Sequence, residues 1–363
     1  MGLTLSNELS TTPFIPSIQR TNKNGRIKIG QIGVCHEHAS GKIEALRKLP
    51  DLYEIVGIVD DRKSTAAKRA GDDLRPYKGL TWMTEEELFR VPGLQAVAVE
   101  VPNADLVPTA IRCMQHNLSM HMDKPGGEDL ALFEELLTGC EQRKLAFQMG
   151  YMFRGHPAFQ FCKKAIRQQW LGDIFEIQAD MSHDYGGASY QEYISHFKGG
   201  IMFNLGCHHF DFIVSVLGAP QRITPFLGST QGASSNAKNN TMAILEYPHA
   251  LVSVSACDIK VNGIARRSLR INGSKGSIEL SPLERLDGKP VQLQLILKEG
   301  NSQYAAGTHT IDCGIQTDRY TDQFIELAKI IKGEMENPYT CRHDYLTQKV
   351  TLAASGYINW DNR

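Results

Sequence analysis

Ile27-Lys28-Ile29-Gly30-Gln31-Ile32-Gly33-Val34 is a β-branched run that ends at a glycine and passes at once into Cys35-His36-Glu37-His38. Apolar residues then recur at helical spacing (Ile43, Leu46, Leu49), and Glu54-Ile55-Val56-Gly57-Ile58-Val59 reads as a second strand. The alternation continues outward from this unit. Helices are expected over 64–71, 84–90, 103–116 and 128–143, and strands over 96–101, 118–122 and 146–149. Strands separated by whole helices must pair in parallel, with the helices covering both faces of the sheet. Residues 27–150 therefore read as a doubly wound, nucleotide-type domain.

From residue 151 the rhythm changes. After a helix at 157–168, strands are expected at 173–183, 241–247, 251–259, 268–271, 277–280 and 291–297, joined by turns such as Asn272-Gly273-Ser274-Lys275-Gly276. Consecutive strands without intervening helices point to a mainly antiparallel sheet. A helix over 204–217 interrupts them, and helices over 318–332 and 345–357 close the chain, with a loop at 232–240. The expected fold class is an α/β Rossmann dinucleotide-binding domain (27–150) followed by an α+β domain (151–363). Residues 1–26 are polar, lack the apolar block of a secretory signal, and read as a leader.

Composition narrows the function classes. The length of 363 residues suits two domains, and 42% hydrophobic with 22% charged residues is typical of a folded soluble chain. Lys plus Arg number 39 against 40 for Asp plus Glu, a net charge of −1, so a nucleic-acid partner is not expected. No apolar run is long enough to span a bilayer. Cysteines 35, 113, 140, 162, 207, 257, 313 and 341 are scattered with no C-x-x-C pair. That pattern suits reduced thiols in a cytoplasmic protein, and no metal site is expected.

Four segments carry candidate chemistry. Gly33 is the first glycine of a dinucleotide fingerprint, but Cys35 and His38 stand at the second and third glycine positions. Gly33, Val34, Cys35, His36 and His38 are read as cofactor-binding through their backbone at a helix N-terminus. His36 and His38 also form an H-x-H pair, which lacks a third ligand nearby in sequence and is read as turn residues beside a phosphate. Asp60 ends the second strand, where a carboxylate accepts from ribose hydroxyls and disfavours a 2′-phosphate; this favours NAD, although Arg62 and Lys63 leave NADP open. Pro102 and Asn103, just past the 96–101 strand, join the cofactor set.

Asp123-Lys124-Pro125 follows the strand at 118–122, so Lys124 projects into the ligand crevice at the carboxyl ends of the strands. A lysine desolvated there beside a cationic ring suits a general base for an alcohol proton. Asn204, His208 and Asp211 are spaced to share a helix face, and Asp211 is placed to hold His208 in one tautomer. Of the adjacent His208 and His209, one packed and one exposed is the ordinary expectation.

Together these segments resemble the glucose–fructose oxidoreductase / inositol dehydrogenase / MocA family. The resemblance rests on Ile29-Gly30-Gln31-Ile32-Gly33, Val59-Asp60, Asp123-Lys124-Pro125 for the family's E-K-P, Gly150-Tyr151-Met152-Phe153-Arg154, and Gly199-Gly200 through Asp211 for G-G-x-x-x-D-x-G-x-H-x-x-D. It implies an open-faced second sheet, NAD(P), hydride exchange with a carbinol of a sugar, polyol or sugar derivative, and a homodimer or homotetramer. By position, Lys124 and His208 are the motif's acid–base residues, and Asn204 stands where the family has an aspartate. An amide bonds a hydroxyl but cannot take its proton. Proton transfer then rests on Lys124, His208 or another of Tyr151, Tyr185, His183 and His196. Tyr151, Arg154, Tyr185, His196 and His208 are the expected substrate contacts. Two other outcomes fit the resemblance: redox-neutral, NAD-dependent glycoside cleavage, and a non-catalytic sensor.

Overall fold

The structure, a computed structural model, describes residues 25–62, 74–233 and 237–361. The expected helix at 64–71, most of the leader and part of the 232–240 loop fall outside these residues. The first sheet is built from β1 (Ile27–Ile32), α1 (Ala39–Arg47), β2 (Tyr53–Val59), β3 (Trp82–Met83), α2 (Glu85–Phe89), β4 (Ala96–Val99), α3 (Leu106–Gln115), β5 (Ser119–Met122), α4 (Leu130–Arg143) and β6 (Phe147–Met149). Its six strands are parallel and lie in the order β3-β2-β1-β4-β5-β6. Chain direction across the sheet reverses between β1 and β4, and the crevice for a ligand opens at that switch point. Every residue of Ala96-Val97-Ala98-Val99 is buried, as a central strand covered on both faces requires. Local signals set the helix starts. Thr84 and Glu87 form a reciprocal capping box at α2, and the Asp129 carboxylate accepts from the amides of Ala131 and Leu132 at α4.

The second half contains α5 (Pro157–Arg167), β7 (Ile174–Asp180), α6 (Ala188–Ser195), α7 (Cys207–Leu217), β8 (Arg222–Gly228), β9 (Asn240–Glu246), β10 (Leu251–Cys257), β11 (Ser268–Gly273), β12 (Gly276–Leu280), β13 (Pro290–Leu297), β14 (Gly307–Ile315), α8 (Thr321–Lys332) and α9 (Cys341–Ala354). Its eight strands run in the order β14-β13-β12-β11-β7-β10-β9-β8. Of the neighbouring pairs only β7 with β10 is parallel; the rest are antiparallel. The inner face (Ile177, Ala179, Val252, Val254, Leu269, Ile271, Leu293, Leu295) packs under α5, α7 and α9. The outer face leaves Phe226, Met242, Leu251 and Ile296 exposed.

β3, α6, β8 and β14 were not expected from sequence. β8 and β14 are the two edges of their sheet. Pro225 inside β8 is tolerated there because an edge strand can spare an N–H, and the polar alternation of β14 suits a strand with one free side. The expected helix at 204–217 begins differently: Met202–Gly206 form a π-helical turn, and regular helix starts only at Cys207. A division at residue 150 also places α8 with the second domain. Instead Phe324, Leu327 and Ala328 complete the core formed by Ile27, Ile29, Ile43, Leu46 and Tyr53, so α8 covers the first sheet beside α1.

Candidate active site at the interdomain crevice

Gly33 turns the chain out of β1 with φ of +98°, and a Cβ there would lie 2.5 Å from the Glu100 carbonyl oxygen, so only glycine fits. The amides of Val34 and Cys35 donate to Asp61 Oδ1 at 2.8 and 3.1 Å. Asp61 therefore faces the glycine loop, and its buried Oδ2 has no hydrogen-bond partner among the described residues. Asp60 points elsewhere and is paired with Arg62, whose guanidinium lies over the Trp82 ring. Asp61, one residue past the acid singled out from sequence, is thus the one turned toward the glycine loop, because consecutive residues at a strand end point to opposite sides.

Asp123 and Lys124 leave β5 fully buried. Lys124 Nζ donates to the Asn204 carbonyl oxygen at 3.0 Å, bridging the first sheet to the π-helical turn ahead of α7. A π turn adds a residue to the helical repeat and frees a carbonyl, a device common at functional sites. A chain of polar side chains crosses the crevice beside this bond. His36 Nε2 lies 3.0 Å from Asn103 Oδ1, Asn103 Nδ2 donates to Asn204 Oδ1 at 3.4 Å, and Asn204 Nδ2 donates to the Tyr190 hydroxyl at 3.1 Å. Tyr185 stacks on His183 at 3.5 Å between centroids and stands edge-on to Tyr190. Pro102, also buried, turns the chain here, its carbonyl accepting from Asp105 N.

The electrostatics of this region are uneven. His38 Nδ1 lies 2.9 Å from Asp123 Oδ2, with His36 Nδ1 at 3.5 Å and Lys42 Nζ at 3.9 Å. Burial opposes ionisation of Asp123, but His38, His36 and Lys42 outweigh it and hold the carboxyl well below the usual range. Glu100, at the end of β4, is pushed well above that range by burial and by the Asp123 charge. Burial lowers His36 to about 4 and His121 to about 3, so both rings are neutral near pH 7.

His208 is also held neutral, by burial first and then by the Lys124 charge. Its ring packs against Tyr151 and Phe153, and its Nδ1 has no hydrogen-bond partner among the described residues. Asp211 does not orient it, contrary to the reading from helical spacing. The Asp211 carboxylate is taken by Arg154 (Nη2 to Oδ1, 2.6 Å) and by His343 (2.9 Å), groups supplied by the β6–α5 connection and by α9. His209 is as buried as His208, against the expectation of one exposed ring.

Two further expected substrate contacts lie elsewhere. Arg154 is buried in an ionic cluster with Asp211 and Asp344, and it borders a cavity of ≈ 460 Å³ together with Lys163, Tyr339 and His343. His196 caps the end of α6, exposed, with Nδ1 against its own helix carbonyl at Tyr193. Sequence reasoning also missed Lys42, Asp61, Glu100, Tyr190, His343 and Asp344. Glu100 had a local signal, an acid breaking an apolar strand end; Asp61 adjoins Asp60, and Tyr190 lies between Tyr185 and His196; the others had none.

Comparison with known proteins agrees with this architecture. Residues 27–151 match the model of the oxidoreductase family, NAD-binding Rossmann fold, and residues 159–279 match the GFO/IDH/MocA C-terminal domain. A trans-1,2-dihydrobenzene-1,2-diol dehydrogenase from Bos taurus is 21% identical over 201 residues, 54% of this chain; the chain spans 57% of that relative's length. The oxidoreductase yvaA from Bacillus subtilis superposes with a TM-score of 0.74 at 17% identity, covering 94% of this chain and 100% of its own. A levoglucosan dehydrogenase in complex with NADH and levoglucosan gives 0.73 at 16% identity, covering 92% and 96%. With both halves of the architecture matched, one model to each, the chain belongs to the GFO/IDH/MocA oxidoreductase family.

Proposed function

We propose that the protein is an NAD(H)-dependent oxidoreductase acting on a carbinol of a sugar, polyol or sugar derivative, with Lys124 and His208 as its acid–base groups. The observation that carries this reading is Lys124, fully buried at the carboxyl end of β5 and held against Asn204 across the crevice. The residues around the switch point fit a dinucleotide. Gly33 provides the close backbone approach, α1 presents an N-terminus with no side-chain cap, and Asp61 Oδ2 is a buried acceptor without a donor, suited to a ribose hydroxyl. The adjacent Asp60 and Asp61 favour NAD over NADP, and Arg62 is already engaged by Asp60.

Bound NAD supplies the hydride acceptor or donor. The chain's own groups hold the substrate hydroxyl and move its proton. Lys124 Nζ is the group placed to exchange that proton, and His208, neutral and with an unpartnered Nδ1, is the second. Asn204 positions Lys124 through its carbonyl and Tyr190 through its amide. Support for a sugar-like substrate comes from relatives: one neighbour is a levoglucosan dehydrogenase, and another is in complex with NADH and UDP-GlcNAcA. The exposed outer sheet face, where Phe226 pairs across strands with Met242, supports a homodimer or homotetramer. None of the eight cysteines forms a disulfide, which suits a cytoplasmic location.

Native mass spectrometry of the purified protein, followed by denaturation, tests the cofactor assignment. Release of NAD(H), or binding of added NAD with turnover of a sugar or polyol, is the expected result. NAD retained through turnover without net reduction would instead mark the redox-neutral glycoside-cleaving reaction. Failure to bind either nucleotide would overturn the enzyme reading in favour of a sensor.

A further inference from the structure

We infer that His36, His38 and Asp123, with Glu100 beside them, form a binding site for one divalent transition-metal ion, zinc being the ion whose preferences the donors match best. This reading is independent of the proposed activity. His36, His38 and Asp123 each place a ligand atom within 4.8 Å of the others. The individual spacings are 2.9 Å for His38 Nδ1 to Asp123 Oδ2, 3.5 Å for His36 Nδ1 to Asp123 Oδ2, and 3.9 Å for His36 Nδ1 to Glu100 Oε2. A tetrahedral shell with bonds of about 2.0–2.1 Å separates its donors by about 3.3–3.4 Å, and these spacings bracket that value.

Two features distinguish the cluster from a chance meeting of polar groups. First, Glu100 is fully buried, and among the described residues its carboxyl has only the Asp123 carboxyl as hydrogen-bond partner. Two acids packed against each other in the interior form a pair that a bound cation would stabilise. Second, His36 Nε2 is already tied to Asn103 Oδ1, which turns Nδ1 toward the two acids. Metal-binding imidazoles have this outer partner on the far nitrogen as a rule. The Nδ1 lone pair otherwise accepts only a long 3.3 Å bond from the His38 amide, which a metal would replace.

The neighbouring cations do not fill the gap. Lys42 Nζ is 3.9 Å from Asp123 Oδ2 and makes its short contact with His121 Nε2 instead. The second His/Asp cluster, Asp211–His343–Asp344, shows the alternative: there the Arg154 guanidinium bonds both carboxylates, so the cation is built in and no metal is needed. Two imidazoles with two carboxylates suit zinc, cobalt or manganese rather than calcium, which takes six or more oxygens. The ion would pin the glycine loop to the ends of β4 and β5, one residue from Lys124.

Chelator-treated full-length protein titrated with Co²⁺ tests this. The expected result is one equivalent bound, with visible absorption of a low-coordinate Co²⁺ site. His38→Asn and Glu100→Gln are each expected to weaken that affinity by roughly tenfold or more. Zinc-edge X-ray absorption of the loaded wild-type protein should show only nitrogen and oxygen neighbours, with imidazole scattering. Absence of stoichiometric binding, affinity unchanged in both variants, or a sulfur neighbour implicating Cys35 would overturn the site. Should either variant fail to fold, the wild-type absorption data decide alone. Nucleotide binding measured on the metal-free protein separates failure here from failure of the oxidoreductase reading.

Discussion

Two buried ionic clusters adjoin the helix that carries His208, and they are built on different terms. At Asp211 of α7, Arg154 bonds both Asp211 and Asp344, His343 adds a further contact to Asp211, and the Tyr339 ring covers the guanidinium at 3.8 Å. At the crevice, Glu100 and Asp123 stand side by side, carboxyl against carboxyl. The first cluster carries its own guanidinium, although Arg154 Nη1 and Asp344 Oδ2 have no hydrogen-bond partner among the described residues, and it ties the β6–α5 connection to α7 and α9. On the proposed metal reading, the second is completed by an ion from outside the chain. Buried acids packed together without a guanidinium are where a ligand is expected, whereas acids bonded to one are structural.

Arg154→Met breaks the first cluster and is expected to have the largest effect. It strands two carboxylates in the interior, a change that costs about 3–5 kcal/mol in comparable buried pairs. Urea unfolding measures it, and a loss below 1 kcal/mol would show the cluster to be incidental. Lys124→Ala tests the crevice side. Turnover should fall roughly a thousandfold, the scale of a lost acid–base group, while the urea midpoint moves much less than for Arg154→Met. A variant that kept its turnover would remove Lys124 from the mechanism.

The acid limb of the stability profile sharpens the contrast further. Burial opposes ionisation of Asp211, but Arg154 and then His343 hold its carboxyl well below the usual range. Its contribution is therefore complete above the ordinary carboxylate pKa and is lost as pH falls through and below it. Asp344, raised by burial, has the opposite sign and loses its contribution as pH rises. Asp211→Asn should flatten the acid limb, and an unchanged limb would assign acid sensitivity to other groups. The smallest effect expected is at the cofactor edge. Asp61→Ala should raise KM for NAD by about tenfold, the scale of one charge-assisted hydrogen bond. Asp60→Ala should leave KM within about twofold, and the reverse ranking would restore Asp60 as the ribose acid.

The parallel domain was legible because its strands are continuous apolar runs alternating with helical periodicity, and β1, β2, β4 and β5 fall where the pattern puts them. The edge strands β8 and β14 were not, since an edge needs neither full burial nor every N–H. At the site, Lys124 and His208 were readable from motif position. Their surroundings were not, because the contacts that decide them are remote in sequence. His38 meets Asp123 across 85 residues, and Arg154 meets Asp344 across 190. Helical spacing correctly put His208 and Asp211 on neighbouring turns of α7 but said nothing of Arg154 arriving from another element to claim the carboxylate. The H-x-H pair was set aside for the same reason, the approach of Asp123 to it being invisible until β5 is placed beside β4.

The position of α8 bears on how the chain is made. Phe324 and Leu327 seal the face of the first sheet that Ile27, Ile29 and Tyr53 present, and Tyr53 donates its hydroxyl proton to the Phe324 carbonyl. During synthesis from the N-terminus, that face is left bare until α8, which follows β14, has emerged from the ribosome. The nucleotide-binding half is thus first in translation order but among the last parts to mature, and early termination anywhere before α8 would yield an adhesive, chaperone-dependent fragment rather than a free-standing module.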